Sequence, residues 1–261
     1  MAVLFNGATT YTQDFNSLTT STGANTWTND STLPGWSLFR QPTPGTAITT
    51  YSAENGSSGT GSFYSYGTTG APDRALGGLG SGGTYFGSPA SGNVAGWIAF
   101  AATNNSGAAI NSVNIGFDGE QWRNNLNPTP QTMVLEYGFG NTFGAVPTWT
   151  APGGNFNWTS PVATTAAAVI DGNTTGLVAN RGGTLNTLNW SNNSTLWVRW
   201  IENNDGSNDH GLVIDNFSLA AVPVPSPTAV PEPADFMGSI VAMLAAAIVI
   251  KRRIASKSRT L

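Results

Sequence analysis

Three sets of side chains in this chain are of types and spacings that could do chemistry. Asp205, Asp209 and Asp215 crowd the stretch NNDGSNDHGLVIDNFSL, and Asp14 stands in TQDFNSL near the start. Calcium takes six to eight oxygen ligands, carboxylates and backbone carbonyls among them. If the first and last strands pair, these four aspartates converge, and a structural calcium is the cofactor they suit. The loop is not an EF-hand, because DGSNDHGLVIDN has no carboxylate or amide at its third position and no closing Glu. The second set is Trp197 and Arg199. Trp197 and Trp200 lie three residues apart on one strand and so point to opposite faces. One of them then faces outward beside Arg199, where ring and guanidinium can stack and an exposed indole would meet the apolar face of a sugar. The third set is acidic. Glu120 with Glu136 or Glu202 would supply the two carboxylates a glycosidase requires, whereas in FDGEQWR Glu120 and Arg123 would pair with each other while Trp122 caps the sheet.

Other chemistries lack their residues. There is no cysteine, so thiol catalysis, thiolate metal sites and disulfides are excluded. His210 is the only histidine; set among Gly, Asn and Asp with no GxSxG elbow in the chain, it reads as a solvated turn residue and not as the base of a hydrolase triad. Neither GxxxxGK nor HExxH occurs. Up to residue 230 five arginines stand against twelve acidic side chains, a formal charge of −7. Phosphate binding needs a basic footprint, so no nucleic acid is expected as partner.

The elements that must position these residues have a period of two. Val113, Ile115 and Phe117 alternate with Asn114, Gly116 and Asp118; Met133, Leu135, Tyr137 and Phe139 with Val134, Glu136 and Gly138; and Leu196, Val198 and Trp200 with Trp197, Arg199 and Ile201. Between such runs lie ENGSSGTGS, TNNSGAA, DGNTTG and NNDGSNDHG, rich in the residues that tight turns demand. The pattern predicts an all-β fold, a jelly-roll-like antiparallel β-sandwich spanning residues 1–220, in which two sheets bury their inner faces. Residues 221–230, AVPVPSPTAV, read as a stiff Pro-rich linker.

Residues 231–261 differ in kind. Phe236 to Ile250 form an uncharged stretch of fifteen residues, a helix of about 22 Å. That is short for a transmembrane helix but within reach of a locally thinned bilayer. Five of the ten Lys and Arg follow it, in the basic tail 251–261. Basic flanks stay on the cytoplasmic side, so the N-terminal side is expected outside and the C-terminus in the cytoplasm.

Val230, Pro231, Glu232 and Pro233, the apolar helix, and Lys251, Arg252 and Arg253 occur in an order that resembles the PEP-CTERM sorting signal. The resemblance covers about residues 230 to 255. It implies a substrate of an exosortase-type processing protease, exported from a Gram-negative or cyanobacterial cell with an exopolysaccharide coat and cut near Pro231–Pro233. The opening MAVLFNGATTYTQDF has no basic residue and an apolar run of only four, so the leader that export requires is expected upstream of it or already removed. TQDFNSL, APDRALGGLGSGGTYFG, FDGEQWRNN and the closing NNDGSNDHGLVIDNFSL resemble a recurrent ectodomain of exported bacterial proteins. The closing stretch also resembles the last strand of jelly-roll carbohydrate-binding modules, in which an Asp helps hold a structural calcium.

Together these features predict a non-catalytic cell-surface or extracellular-matrix protein, a single-pass membrane precursor with an exopolysaccharide as a further partner. A carbohydrate-binding module is the alternative and a glycosidase the third reading.

Overall fold

The computed structural model describes residues 2–41 and 45–222. Val230 to Pro233, the apolar run Phe236–Ile250 and Lys251 to Arg253, on which the sorting and membrane-span expectations rest, lie outside the described residues. Within them no helix is long and apolar enough to cross a membrane.

The described residues form seventeen strands and three single 3-10 turns. The first eight strands are short: β1 (Val3–Phe5), β2 (Tyr11–Gln13), β3 (Ala24–Thr26), β4 (Trp36–Arg40), β5 (Thr46–Ala47), β6 (Thr50–Glu54), β7 (Ser62–Tyr66) and β8 (Ala75–Leu79). Two long ones follow, β9 (Asn93–Asn104) and β10 (Val113–Asn124), and then β11 (Thr132–Met133), β12 (Leu135–Phe139), β13 (Trp158–Thr159) and β14 (Ala168–Val169). The last three are β15 (Leu177–Leu185), β16 (Thr195–Asn204) and β17 (Gly211–Ala221). One large sheet runs β12-β16-β9-β4-β5 with β1 added to β9; the other runs β14-β10-β17-β8-β7-β6-β3 with β15 on β10 and β2 on β17; β11 and β13 form a separate two-stranded pair. The pairing is antiparallel throughout except at β1–β9 and β6–β7. The expected all-β sandwich is therefore what the chain adopts, and β2 does pair with the last strand.

Alternation decides which side chains meet between the sheets. Ile98, Phe100, Val198 and Trp200 of the first sheet and Val113, Ile115, Phe117, Ile214 and Phe217 of the second turn inward and are buried. At the centre Trp36 stacks on Trp200 at 5.9 Å, and the Phe217 ring from the opposite sheet meets both edge-on, at 5.2 and 5.6 Å. Rings at such angles present positive edges to negative faces, an attraction beyond area burial. The Trp36 indole N–H donates to the Tyr11 hydroxyl at 3.0 Å, which ties β4 to β2 across the core.

The register of β10 slips beside Asp118, between Phe117 and Gly119 against β15 and between Gly116 and Asp118 against β17. Such a bulge re-aims the following side chains. Gly119 then faces the Trp158 ring, where a methyl group would overlap it, while Glu120 and Trp122 turn to the outer face. There Trp122 joins Tyr64, Tyr66 and Val213 in a smaller apolar cluster, so Trp122 covers the sheet as anticipated.

Truncating Trp36 to Ala removes the central ring and should cost about 3–5 kcal/mol in urea unfolding. Leu4→Ala, at a side chain 72% exposed, should stay within about 0.5 kcal/mol of the parent. Equal losses from the two would contradict the central role of Trp36.

Candidate functional site

The outer face of the first sheet carries the chain's densest aromatic packing outside the core. The strand period that turns Val198 and Trp200 inward turns Trp197 and Arg199 outward, and Trp97 on β9 joins them. Phe143, from the 3-10 turn Phe143–Ala145, plugs the group: it stacks on Phe39 at 4.1 Å and lies 5.2 Å from Trp149, 5.6 Å from Trp97 and 5.8 Å from Trp197. The Arg199 guanidinium sits 3.9 Å from the Trp149 ring centre. The β12–β16 register sets Glu136 opposite Arg199, and the carboxylate accepts from Nε at 2.7 Å and pairs with Nη2 at 2.5 Å. Burial lowers the Arg199 pKa from its usual value, opposed by the hydrogen bond and charge of Glu136.

Arg199 does face outward, but its rings are Trp149, Trp97 and Phe143 and not the expected Trp197 or Trp200, and Trp197 is not an open platform. Its indole N–H donates to the Gly140 carbonyl at 3.0 Å and the residue is 9% exposed. The segment carrying Phe143 and Trp149 folds across the sheet and encloses it, an arrangement that no local spacing announces.

Beside this nest runs a groove of about 500 Å³. Gly35, Ser37, Ala101 and Thr103 form its floor, and Trp197 and Phe143 form one wall. Leu4 stands on the other side, with Asp30, Asn141 and Thr195 as polar lining. Asp30 is anchored, since its Oδ1 accepts from the Gly35 N–H at 2.7 Å. The small floor residues that create this space carry no signature in the sequence.

The four aspartates do not converge. Asp205 and Asp209 meet within one turn, the Asp205 N–H donating to Asp209 Oδ1 at 2.6 Å. Asp215 lies on β17, where the charge of Glu120 acts on it, and its Oδ1 accepts from the Asn216 N–H. Asp14 is exposed, accepts from the Asn16 N–H, and shares a small recess with Asn216. Among the described residues no group of three or more His, Asp or Glu side chains is placed to hold a metal ion. The calcium quartet is corrected accordingly: strand pairing brings Asp14 toward β17, yet Asp205 and Asp209 belong to the preceding turn.

His210 is also corrected. It is buried, 1% exposed, with Nδ1 2.9 Å from Ser160 Oγ and Nε2 3.0 Å from the Asn127 carbonyl. A carbonyl only accepts, so Nε2 carries the hydrogen and Nδ1 accepts from the Ser160 hydroxyl. Gln131 Oε1 accepts the His210 backbone N–H at 2.5 Å. Burial lowers the histidine pKa below its ordinary value, opposed by the bond to Asn127. Three residues from two distant loops therefore wrap a side chain whose own neighbours spell an open turn.

Glu120 and Arg123 do not pair. Glu120 Oε2 accepts from the Trp122 indole N–H at 2.8 Å, and Arg123 Nη1 donates to the Gly56 and Ser57 carbonyls at 3.2 and 3.1 Å. Nor do the glutamates form a catalytic couple. Glu136 is on the outer face of the first sheet with Arg199, Glu120 on the outer face of the second with Trp122, and Glu202 is buried opposite Gly78 and Gly80 of the other sheet.

Four of these carboxyls are buried without a cationic partner, and their pKa values rise. Burial chiefly lifts Glu120 to about 7, Asp209 to about 8 with help from Asp205, and Asp215 to about 8 with help from Glu120. Glu202 is raised well above the usual carboxylate range, by burial first and Asp209 next. Each group binds its proton more tightly folded than unfolded, where the values are about 4. Their stabilisation is complete below pH about 4 and is lost as pH rises through about 7 to 8. The single histidine, lowered on folding, acts oppositely below about pH 6.5. Four groups outweigh one, so the melting temperature should rise as pH falls from 8.5 to 5. A flat or falling curve by scanning calorimetry would refute the assignment. Separately, Glu136→Gln leaves Arg199 without its carboxylate and should cost about 1–3 kcal/mol, while the double change Glu136→Leu with Arg199→Met should recover part of that loss in a denaturation series.

No family model matches the chain, and no curated protein matches it. Among solved structures, the CBM22-1 xylan-binding domain from Paenibacillus barcinonensis Xyn10C is similar at 10% identity and a TM-score of 0.34, covering 63% of this chain and 82% of that one. A likeness at that level bears on neither ligand nor activity.

Proposed function

We propose that this chain is a non-catalytic surface or matrix protein, exported and sorted through residues 230–253, whose sandwich holds a neutral glycan in the groove beside Trp197. The groove's composition carries the binding half of this reading. A pyranose ring has apolar C–H faces and a polar equator, and the groove offers small residues on its floor, aromatic surface on one wall, and hydroxyl, amide and carboxylate groups among its lining. Binding sites commonly combine an apolar lining with a few placed polar groups in this way. The sorting half is supported by the order of Pro231, Glu232 and Pro233, the apolar stretch and the basic cluster, which suits processing by an exosortase-type protease and transient retention in a membrane by that apolar stretch. The dispersal of Glu120, Glu136 and Glu202 over separate surroundings favours binding over glycoside hydrolysis.

The test takes the native host and follows the protein by intact mass and fractionation, with Glu232→Ala in parallel. Wild-type protein should appear outside the cell, ending near Pro233, and the variant should stay full length in the membrane. Full-length membrane protein from both strains would refute sorting. In the second arm, full-length protein in detergent should be retained on the host's exopolysaccharide. Thr103→Trp, which fills the groove floor, should weaken retention at least tenfold with an unchanged melting temperature. Undiminished retention would refute the groove as the binding site.

A further inference from the structure

A larger cleft, about 630 Å³, opens on the other sheet along β3, β6 and β7. Hydroxyl side chains such as Thr50, Ser52 and Ser62 line it, and Arg74 and Glu54 are its charged groups. Arg74 is 3% exposed and held rigidly. Its Nε donates to Ser65 Oγ at 2.8 Å, its Nη2 to the Ser65 and Glu54 carbonyls, and its backbone N–H to Asn16 Oδ1 at 2.7 Å. Nη1 has no acceptor among the described residues, and no carboxylate there forms an ion pair with Arg74. Gly67 keeps this nitrogen uncovered: a methyl group on it would lie 2.5 Å from Nη1. With Nε and Nη2 already bonded, Nη1 is the donor that the guanidinium presents to an acceptor in the cleft.

Glu54 supplies the complementary half. Its Oε1 is occupied, accepting from the Asn55 N–H at 2.9 Å, the Ser57 N–H at 3.2 Å and the Ser57 hydroxyl at 2.6 Å. Oε2 makes no such bond among the described residues. One fixed donor and one fixed acceptor therefore share a cleft lined with hydroxyls, and their opposite charges cancel. Asp73, beside Arg74 in the chain, adds a further negative charge that acts on it. That balance disfavours an anionic ligand and suits a hydroxyl, which accepts and donates at once.

We infer that this cleft is a second binding site, for the adjacent hydroxyls of a neutral sugar chain, which accept from Arg74 Nη1 and donate to Glu54 Oε2. The site stands on Arg74, Glu54 and Gly67 and does not depend on the groove beside Trp197. Where both are occupied, the domain holds one sugar chain on each of its two large sheets.

The test titrates full-length protein in detergent with linear neutral hexasaccharides of β-1,4-glucan, β-1,4-xylan and β-1,4-mannan, reading the Arg74 Nε–H resonance by NMR. At least one should shift it saturably. Glu54→Gln, which turns the free acceptor into a donor, should weaken that response at least tenfold, and Ser52→Trp, which fills the cleft, should abolish it. Thr103→Trp, on the other sheet, should leave it intact. Loss with Thr103→Trp but not with Ser52→Trp would overturn the proposal, as would tighter binding of hexagalacturonate than of any neutral chain. The absence of a shift with all three neutral probes would overturn it too.

Discussion

The packing of Trp36 and Trp200 against Phe217 is the contact on which the rest of this molecule depends. Two indoles from neighbouring regions of one sheet and a phenyl ring from the other fix the spacing between the layers. Because side chains alternate along a strand, fixing Trp200 inward also fixes Trp197 and Arg199 outward. A one-residue slip of β16 would bury the guanidinium in the core and expose the central indole, so the register is strongly specified. The aromatic nest and the groove beside it are in this sense the reverse side of the core.

Charge is used sparingly and asymmetrically. The domain has five arginines and no lysine before residue 251. One arginine is committed to Glu136, and another, Arg123, to backbone carbonyls. Glu120, Glu202, Asp209 and Asp215 are left to be kept neutral by protons where they are buried. A fold arranged this way tolerates mild acid better than mild alkali, the reverse of a protein held together by carboxylate salt bridges. The hydrogen-bonded and orphaned oxygens differ in role: Glu120 accepts from an indole, whereas Glu202 Oε2 is buried without a partner.

The sandwich was legible because Val113, Ile115 and Phe117, and again Leu196, Val198 and Trp200, alternate without interruption. The bulge beside Asp118 was not, since one extra residue in a strand leaves no mark in composition. The outward placement of Arg199 followed from the same period, but its partner Glu136 lies 63 residues away and becomes a neighbour only through the β12–β16 register. The burial of His210 was illegible for the converse reason: NNDGSNDHG describes its own segment faithfully and says nothing of Asn127, Gln131 and Ser160, which close over it. Arg74, in APDRALGGLG, looks like any surface arginine until Gly67, seven residues earlier, is seen to leave its Nη1 uncovered.

The position of β17 has a consequence for how the chain comes into being. This strand, the last one described, lies between β10 and β8 in the interior of its sheet, pairing with residues about a hundred positions earlier. Contacts so distant in sequence close slowly, because chain entropy is spent before the pairing is gained. Until Gly211 to Ala221 emerge, the second sheet is split down its middle and the Trp36–Trp200 pair has no Phe217 to meet. The second sheet is thus closed, and the domain committed to its fold, only when the last described strand takes its place between β10 and β8.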